Sequence, residues 1–508
     1  MEGKQKKSAV IIGGGLGGLF TGAILAKEGL HVIVLEKNAT AGGGLQTFRR
    51  FGELFDTGMH VIGGMQPGGN IYRICQYLGI AEHVHIKDVD DDCTDSLYFA
   101  EDKTHYEIKK GKKGFVESLA AYFPEEKANL EAYVGAIFAM TNQVDLFNLR
   151  PSTDMLQVHA PDFLMAADAF VAKYIKSPKL RSVVSYMNPL YGGRHDETPA
   201  FIHAIISVLY INGASRFVGG SYLFADLLAS VIRQNGGAVI TGDGVEWMEV
   251  NNRHVDYVRT LSGKEYRADY YISAIHPCTL LRIMPENAFP KAYRTRLDSI
   301  PNSYSAFSVY VKLKPNSFPY INHSEYYMTR YDEIWRFGEH HDTWPLGFLL
   351  MTPPDENQGV YATKVLVTAP MLYEEVARWE NTKVGHRGDE YEAWKKEKTR
   401  QLLQHIEEMH PGFAECIDRV ASSSPLTIRD YYGVKQGALS GFSKDYKNMA
   451  LSQVPVVTKV DNLLLTGQNN NLHGFCGVPL TAINTAEAIL GRNYVLNRIG
   501  EAVKSRIR

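Results

Sequence analysis

The chain opens on a sharply patterned stretch. After the polar start MEGKQKK, Ala9 to Ile12 is an apolar, β-branched run of the kind that forms a strand buried on both faces. Gly13, Gly15 and Gly18 follow in the spacing G-x-G-x-x-G, and small residues from Leu19 to Lys27 predict a helix. His31 to Leu35 is a second buried strand, ending in Glu36. The texture then changes. Helical periodicities run around Phe115–Phe123 and Lys127–Met140 and through Phe163–Ile175 and Phe201–Tyr210. Tyr222 to Asn235 reads as a helix closed by Gly236-Gly237, and strands are expected at Ala238–Thr241, Val245–Val250, Val255–Thr260 and Tyr270–Ile275. Ser305–Leu313 and Lys364–Ala369 predict strands, and Glu390–Met409 one long helix stopped by Pro411-Gly412. Asn462–Thr466 is a buried strand meeting Gly467. After it, Gly477-Val478-Pro479 is expected to open a helix reaching Leu490, with the proline in its first turn. Tyr494 to Arg508 is amphipathic and basic.

The opening stretch carries a definite chemistry. Its glycines allow a tight strand-to-helix turn, a backbone that can touch a pyrophosphate, and close helix-on-strand packing. The helix N-terminus offers unpaired N–H groups to phosphate, and Glu36 stands where an acid bonds an adenosine ribose hydroxyl. Leu16 and Gly17 lie within the same loop and Lys37 directly after the acid, so an ADP-containing dinucleotide is expected here. Gly42, Gly43 and Gly44 make a second glycine turn, with Leu45 beside it and Arg49-Arg50 just beyond. Phe55-Asp56-Thr57-Gly58 then leads into Met59-His60-Val61. Two glycine loops flanking a ribose-binding acid fit a longer cofactor lying extended across the sheet, as FAD does.

Composition narrows the class. The chain has 508 residues, 45% hydrophobic and 22% charged, with a formal charge of -2, which argues against a nucleic-acid partner. Its five cysteines are scattered without metal spacing, as in a reducing compartment, and no metal site is expected. No signal peptide and no run of 18 apolar residues is visible, so the expected location is cytoplasmic, soluble or peripheral to a membrane. The basic C-terminal segment could rest on an anionic membrane surface. Packing on its own domain is the simpler reading.

Five stretches together resemble the phytoene desaturase-like flavoproteins, a branch of the amine-oxidase and GDP-dissociation-inhibitor fold group that includes retinol saturase and carotenoid isomerase. The resembling residues are VIIGGGLGGL, Gly43-Gly44 with FDTGMH, GVEWMEV at Gly244–Val250, ISAIHP at Ile272–Pro277, and LLLTGQ with GVPLTA at Leu463–Ala482. The resemblance implies an α/β architecture: a Rossmann-type FAD-binding domain of the GR2 flavoprotein type, with an α+β substrate domain inserted in two excursions. The FAD domain would comprise 1–100, 211–286 and 421–495, the substrate domain 101–210 and 287–420, and the basic helix 496–508.

It also implies FAD, with Gly13, Gly15 and Gly18 on the pyrophosphate and Glu36 on the ribose. Gly43, Gly44 and Leu45 would lie along its middle, with Gly58, Met59 and His60 nearby. Val245 would meet adenine through its backbone, Gly477, Val478, Pro479 and Leu480 would face the flavin, and Gly467 and Gln468 would stand near the ribityl chain and pyrophosphate. Many relatives carry an acid where this chain has Gln468. The implied reaction is reduction or desaturation of a C=C bond in a hydrophobic isoprenoid or polyene. His60 and His473 are candidate proton donors or polarising groups, because histidine titrates near neutrality. The electron donor or acceptor is left open. A flavin-dependent amine oxidase and a non-catalytic prenyl-binding carrier are the alternatives.

Overall fold

The computed structural model describes residues 6–58, 60–152 and 160–507. Two sheets organise it. Five parallel strands form one, in the order Ala238–Ile240, His31–Leu35, Ser8–Ile12, Tyr270–Ser273 and Leu463–Leu465. Its central strands are apolar because both faces are covered: Ala9, Ile11, Val32 and Val34 pack with helices, while Val10, Ile12 and Leu35 pack with Met248, Val250, Val255 and Val258 of a small antiparallel sheet. The first helix, Leu16–Lys27, is buried from Leu16 to Ala26, and its residues are apolar or small all round. Burial on every side explains that pattern: the helix is held between the sheet, Tyr222–Gln234 and Gly474–Leu490.

Seven strands form the second sheet, in the order Ile417–Ser423, Ser305–Leu313, Lys364–Met371, Gly347–Met351, Ser324–Met328, Asp95–Phe99 and Thr104–Ile108. All its pairings are antiparallel except that of Ser324–Met328 with Asp95–Phe99. The first excursion therefore reaches this sheet at Asp95, before residue 101, and the second leaves it at Ser423, after residue 420. Neither Asp95–Phe99 nor Ile417–Ser423 alternates apolar and polar residues clearly, so both gave little signal. Helices Gly111–Ala120, Lys127–Asn142, Ala167–Tyr174 and Ala200–Ile211 pack together beside it around Leu130, Tyr133, Ile137 and Phe170.

Val245–Asn251 does not extend the parallel sheet. It pairs with His254–Thr260 in a separate three-stranded antiparallel sheet, because its exposed and buried positions alternate. The C-terminal helix Tyr494–Ile507 turns Val495, Leu496 and Ile499 into the core beside the first helix. Among the described residues no helix is long and apolar enough to cross a membrane, and no cluster could hold a metal ion.

Candidate active site

The dinucleotide loop takes its expected form. Gly15 caps the first helix in an extended conformation and no side chain bonds the helix's free N–H groups, which leaves them for a ligand. At Gly18 a Cβ would stand 2.0 Å from the Gly13 carbonyl oxygen, so only glycine fits. Gly43, at φ +57°, brings the second glycine turn against the first: a Cβ there would lie 3.0 Å from the Gly15 Cα. Two loops 28 residues apart thus form one glycine-walled cradle that side chains would fill, which is what close approach of a pyrophosphate requires.

Glu36 is nearly buried and accepts from the N–H of Gly14 at 2.7 Å and of Asn38 at 2.8 Å. Each oxygen keeps a lone pair for a ribose hydroxyl. The loop before Val245 is bonded to the same turn, with Gly242 N–H on the Asn38 carbonyl and Asp243 N–H on that of Glu36. Lys37 points elsewhere. Its ammonium donates to the Asp430 carbonyl at 2.8 Å, tying this turn to helix Pro425–Tyr432. Leu45 is buried, and its carbonyl accepts the Ser221 hydroxyl. Ser221 also gives both its N–H and its hydroxyl to one oxygen of Asp56, at 2.8 and 2.7 Å. Met59 lies outside the described residues.

The second helix start is displaced from its expected place. The helix begins at Gly474, capped by His473, so Gly477 to Leu480 sit in its second turn and Pro479 is interior. There it gives up the bond its N–H would make to the Phe475 carbonyl and its ring crowds that carbonyl, the usual cost of an interior proline. The groups at the mouth of this helix are therefore His473, Gly474, Phe475 and Cys476. Gln468 follows Gly467 at the strand end; with its amide turned so that the nitrogen faces the Leu439 carbonyl, it donates there at 3.1 Å and accepts from Gly441 N–H at 3.3 Å.

Between the sheets lies a cavity of about 210 Å³. Ile206, Leu209, Met328, Phe348 and Leu349 make it largely apolar, and His60, Gln468 and His473 line its polar side. Among the described residues three buried atoms on its wall have no partner: His60 Nδ1, His473 Nε2 and the Tyr304 hydroxyl. Burial pushes both histidines down to about 4, with Arg216 adding to the effect at His60 and Lys444 at His473. This corrects the expectation of titration near neutrality. At pH 7 each is a neutral imidazole, able to give one hydrogen bond and accept another but not an imidazolium acid.

Some cavity neighbours had no signal in the sequence. Lys444 is buried without a carboxylate partner, its ammonium donating to the Ser452 carbonyl at 3.0 Å, and burial lowers it to about 8. Arg216 is the largest wholly buried side chain and clasps the carbonyls of Ile321, Thr352 and His323.

A profile described as "Flavin containing amine oxidoreductase" matches residues 16–490. The chain belongs to that family. Its cofactor is FAD, which the glycine cradle and Glu36 fit, and it is an FAD-dependent oxidoreductase. It is 27% identical to all-trans-retinol 13,14-reductase of Rattus norvegicus, covering 99% of this chain and 89% of that protein. To the chloroplastic prolycopene isomerase of Arabidopsis thaliana it is 23% identical over 92% of this chain and 80% of the relative. The solved structure of cyclohexylamine oxidase from Brevibacterium oxydans superposes with a TM-score of 0.61 at 15% identity, over 99% of this chain and all of that one. That likeness bears on the fold.

Proposed function

We propose that the chain reduces or desaturates a C=C bond in a hydrophobic isoprenoid or polyene. The observation that carries this reading is the apolar cavity walled by the strand ends of one sheet and the face of the other. The names of the relatives, a retinol reductase and a carotenoid isomerase, fit the same chemistry.

In this reading Gly13, Gly15, Gly18, Gly43 and Gly44 hold the pyrophosphate and middle of FAD, Glu36 holds its ribose, and Gly467 and Gln468 lie on its flavin side. The parallel-sheet segments form the FAD domain and the seven-stranded sheet with its helices the substrate domain. Bound FAD supplies hydride exchange with a carbon of the double bond. The chain's own part is to orient an apolar substrate and keep water out. His60 and His473 act as neutral hydrogen-bonding groups that position and polarise, not as imidazolium acids.

The test is anaerobic photoreduction of the FAD-loaded protein followed by mass analysis of retinoids and carotenoids. A product heavier by two hydrogens from the reduced protein, or lighter by two from the oxidised protein, is expected. Unchanged polyenes, with hydrogen peroxide released when the oxidised protein meets amines in air, would overturn the reading in favour of an amine oxidase.

A further inference from the structure

Arg49 and Arg50 do not line the cavity between the sheets. They stand on a second cleft of about 840 Å³, between the hairpin Thr47–Asp56 and the long helix Asp389–Met409. Its charged lining is Arg49, Arg50, Lys395 and Lys396 against a single carboxylate, Glu392, which pairs with Lys395 at 3.2 Å. Among the described residues Arg49, Arg50 and Lys396 form no ion pair. In a chain of net charge -2 this is a local excess of cations. Apolar groups stand out beside them. Lys383 to His386 is a tight turn, closed by His386 N–H on the Lys383 carbonyl at 3.0 Å, with Gly385 at φ +79°. It projects Val384, 47% exposed, and Tyr431 across the cleft is 48% exposed. At its inner end the cleft meets the cavity: Thr57 and Ile428 line both.

We propose that this cleft is the entrance for the apolar substrate and that its rim docks on an anionic lipid surface. The inference rests on the reading that the substrate is hydrophobic, since such a molecule resides in a bilayer and must leave it without crossing water. Lysine and arginine near an anionic leaflet are attracted to it, and an exposed valine and tyrosine at loop tips suit the headgroup boundary. The C-terminal helix, basic though it is, spends Val495, Leu496 and Ile499 inside the protein.

The experiment is co-sedimentation of the FAD-loaded protein with vesicles of phosphatidylcholine alone or mixed with phosphatidylglycerol. Binding to the anionic vesicles, weakening with salt, is expected. Each cation near the surface is worth about fivefold in partition, so Arg49→Glu/Arg50→Glu/Lys396→Glu should lose on the order of a hundredfold or more. Val384→Asp should also weaken binding, and Lys504→Glu on the C-terminal helix should not. Conversion of a polyene supplied in anionic vesicles should fall in the triple variant, while conversion of detergent-dispersed polyene is retained.

Equal binding to both vesicle types, or a triple variant that partitions like the wild type, would overturn the proposal. So would loss of FAD in the triple variant, which would assign the arginines to the cofactor. Binding of a reduced nicotinamide dinucleotide that the triple variant abolishes, with vesicle binding intact, would make the cleft a nucleotide site instead. Failure of detergent-dispersed conversion in both proteins would count against the proposed reaction and leave the vesicle result to decide the docking.

Discussion

The Tyr432 hydroxyl donates to the Thr57 hydroxyl at 3.1 Å and thereby stands over Gly58, where an added Cβ would meet it at 2.5 Å. Residues 375 positions apart in sequence thus close one wall between cavity and cleft. Gly58→Ala is expected to destabilise by ~1–3 kcal/mol through overpacking. Tyr432→Phe alone should cost ~1 kcal/mol through the lost hydrogen bond. In the double variant the clash is gone, so the two losses should be less than additive. Thermal unfolding of all four proteins measures the coupling, and strict additivity would contradict the contact.

Gly18→Ala is expected to abolish FAD retention, because its Cβ would have to occupy the space 2.0 Å from a backbone oxygen that cannot give way. Glu36→Gln should act differently. It keeps an acceptor for one backbone N–H but loses the charge that strengthens both bonds, so FAD binding weakens by about 1–2 kcal/mol without loss of fold. Flavin absorbance of the purified proteins and titration of the apoprotein with FAD separate the two effects.

What was legible in the sequence was whatever depends on local chemistry. The strand, glycine loop, helix and acid from Ser8 to Glu36 specify their own geometry. Ser305–Leu313 also matches its expected span, because a β-branched, aromatic run bounded by Pro301 on one side and Pro315-Asn316 on the other leaves little choice. Asp95–Phe99 was not legible as part of the second sheet, since its pairing with Ser324–Met328 is settled by contacts more than 200 residues away. The helix at Gly474 was misread because proline is a strong first-turn signal, while Leu472-His473-Gly474 carries none. The unpartnered atoms of His60, His473 and Tyr304 are tertiary facts, created only when the sheets meet.

Acid should weaken the fold from pH 6.5 downward, with Asp95, raised to about 6 by burial, offsetting part of the loss. His60, His203, His276 and His473 are all lowered from 6.5 to about 4, chiefly by burial. A depressed folded-state value means stability that is complete above pH 6.5 and lost as pH falls toward 4. Each such group contributes a slope of up to about 1.4 kcal/mol per pH unit within that window. The midpoint of thermal unfolding should therefore drop from pH 6.5 downward, and less steeply in His203→Phe. A midpoint flat to pH 4.5 would contradict the buried, neutral histidines.

Lys444 gives the least intuitive expectation. Burial lowers its ammonium from 10.5 to about 8, so at pH 7 the folded protein holds a desolvated charge whose hydrogen bonds go to carbonyls rather than to a carboxylate. A depressed folded-state value costs stability below pH 8, and the cost fades as pH rises toward 10.5. Its upper bound is about 3 kcal/mol, the drop from 10.5 to about 8 expressed as free energy. Lys444→Met removes that cost and leaves two carbonyls without a donor, at ~1–3 kcal/mol each if water does not replace it. The two effects oppose, so the variant's stability relative to the wild type should be better at pH 7 than at pH 10. The His473 ring should also titrate higher once the neighbouring cation is gone, a shift that NMR of the imidazole reads directly. An unchanged His473 together with a stability difference independent of pH would show that Lys444 is not charged in its buried position.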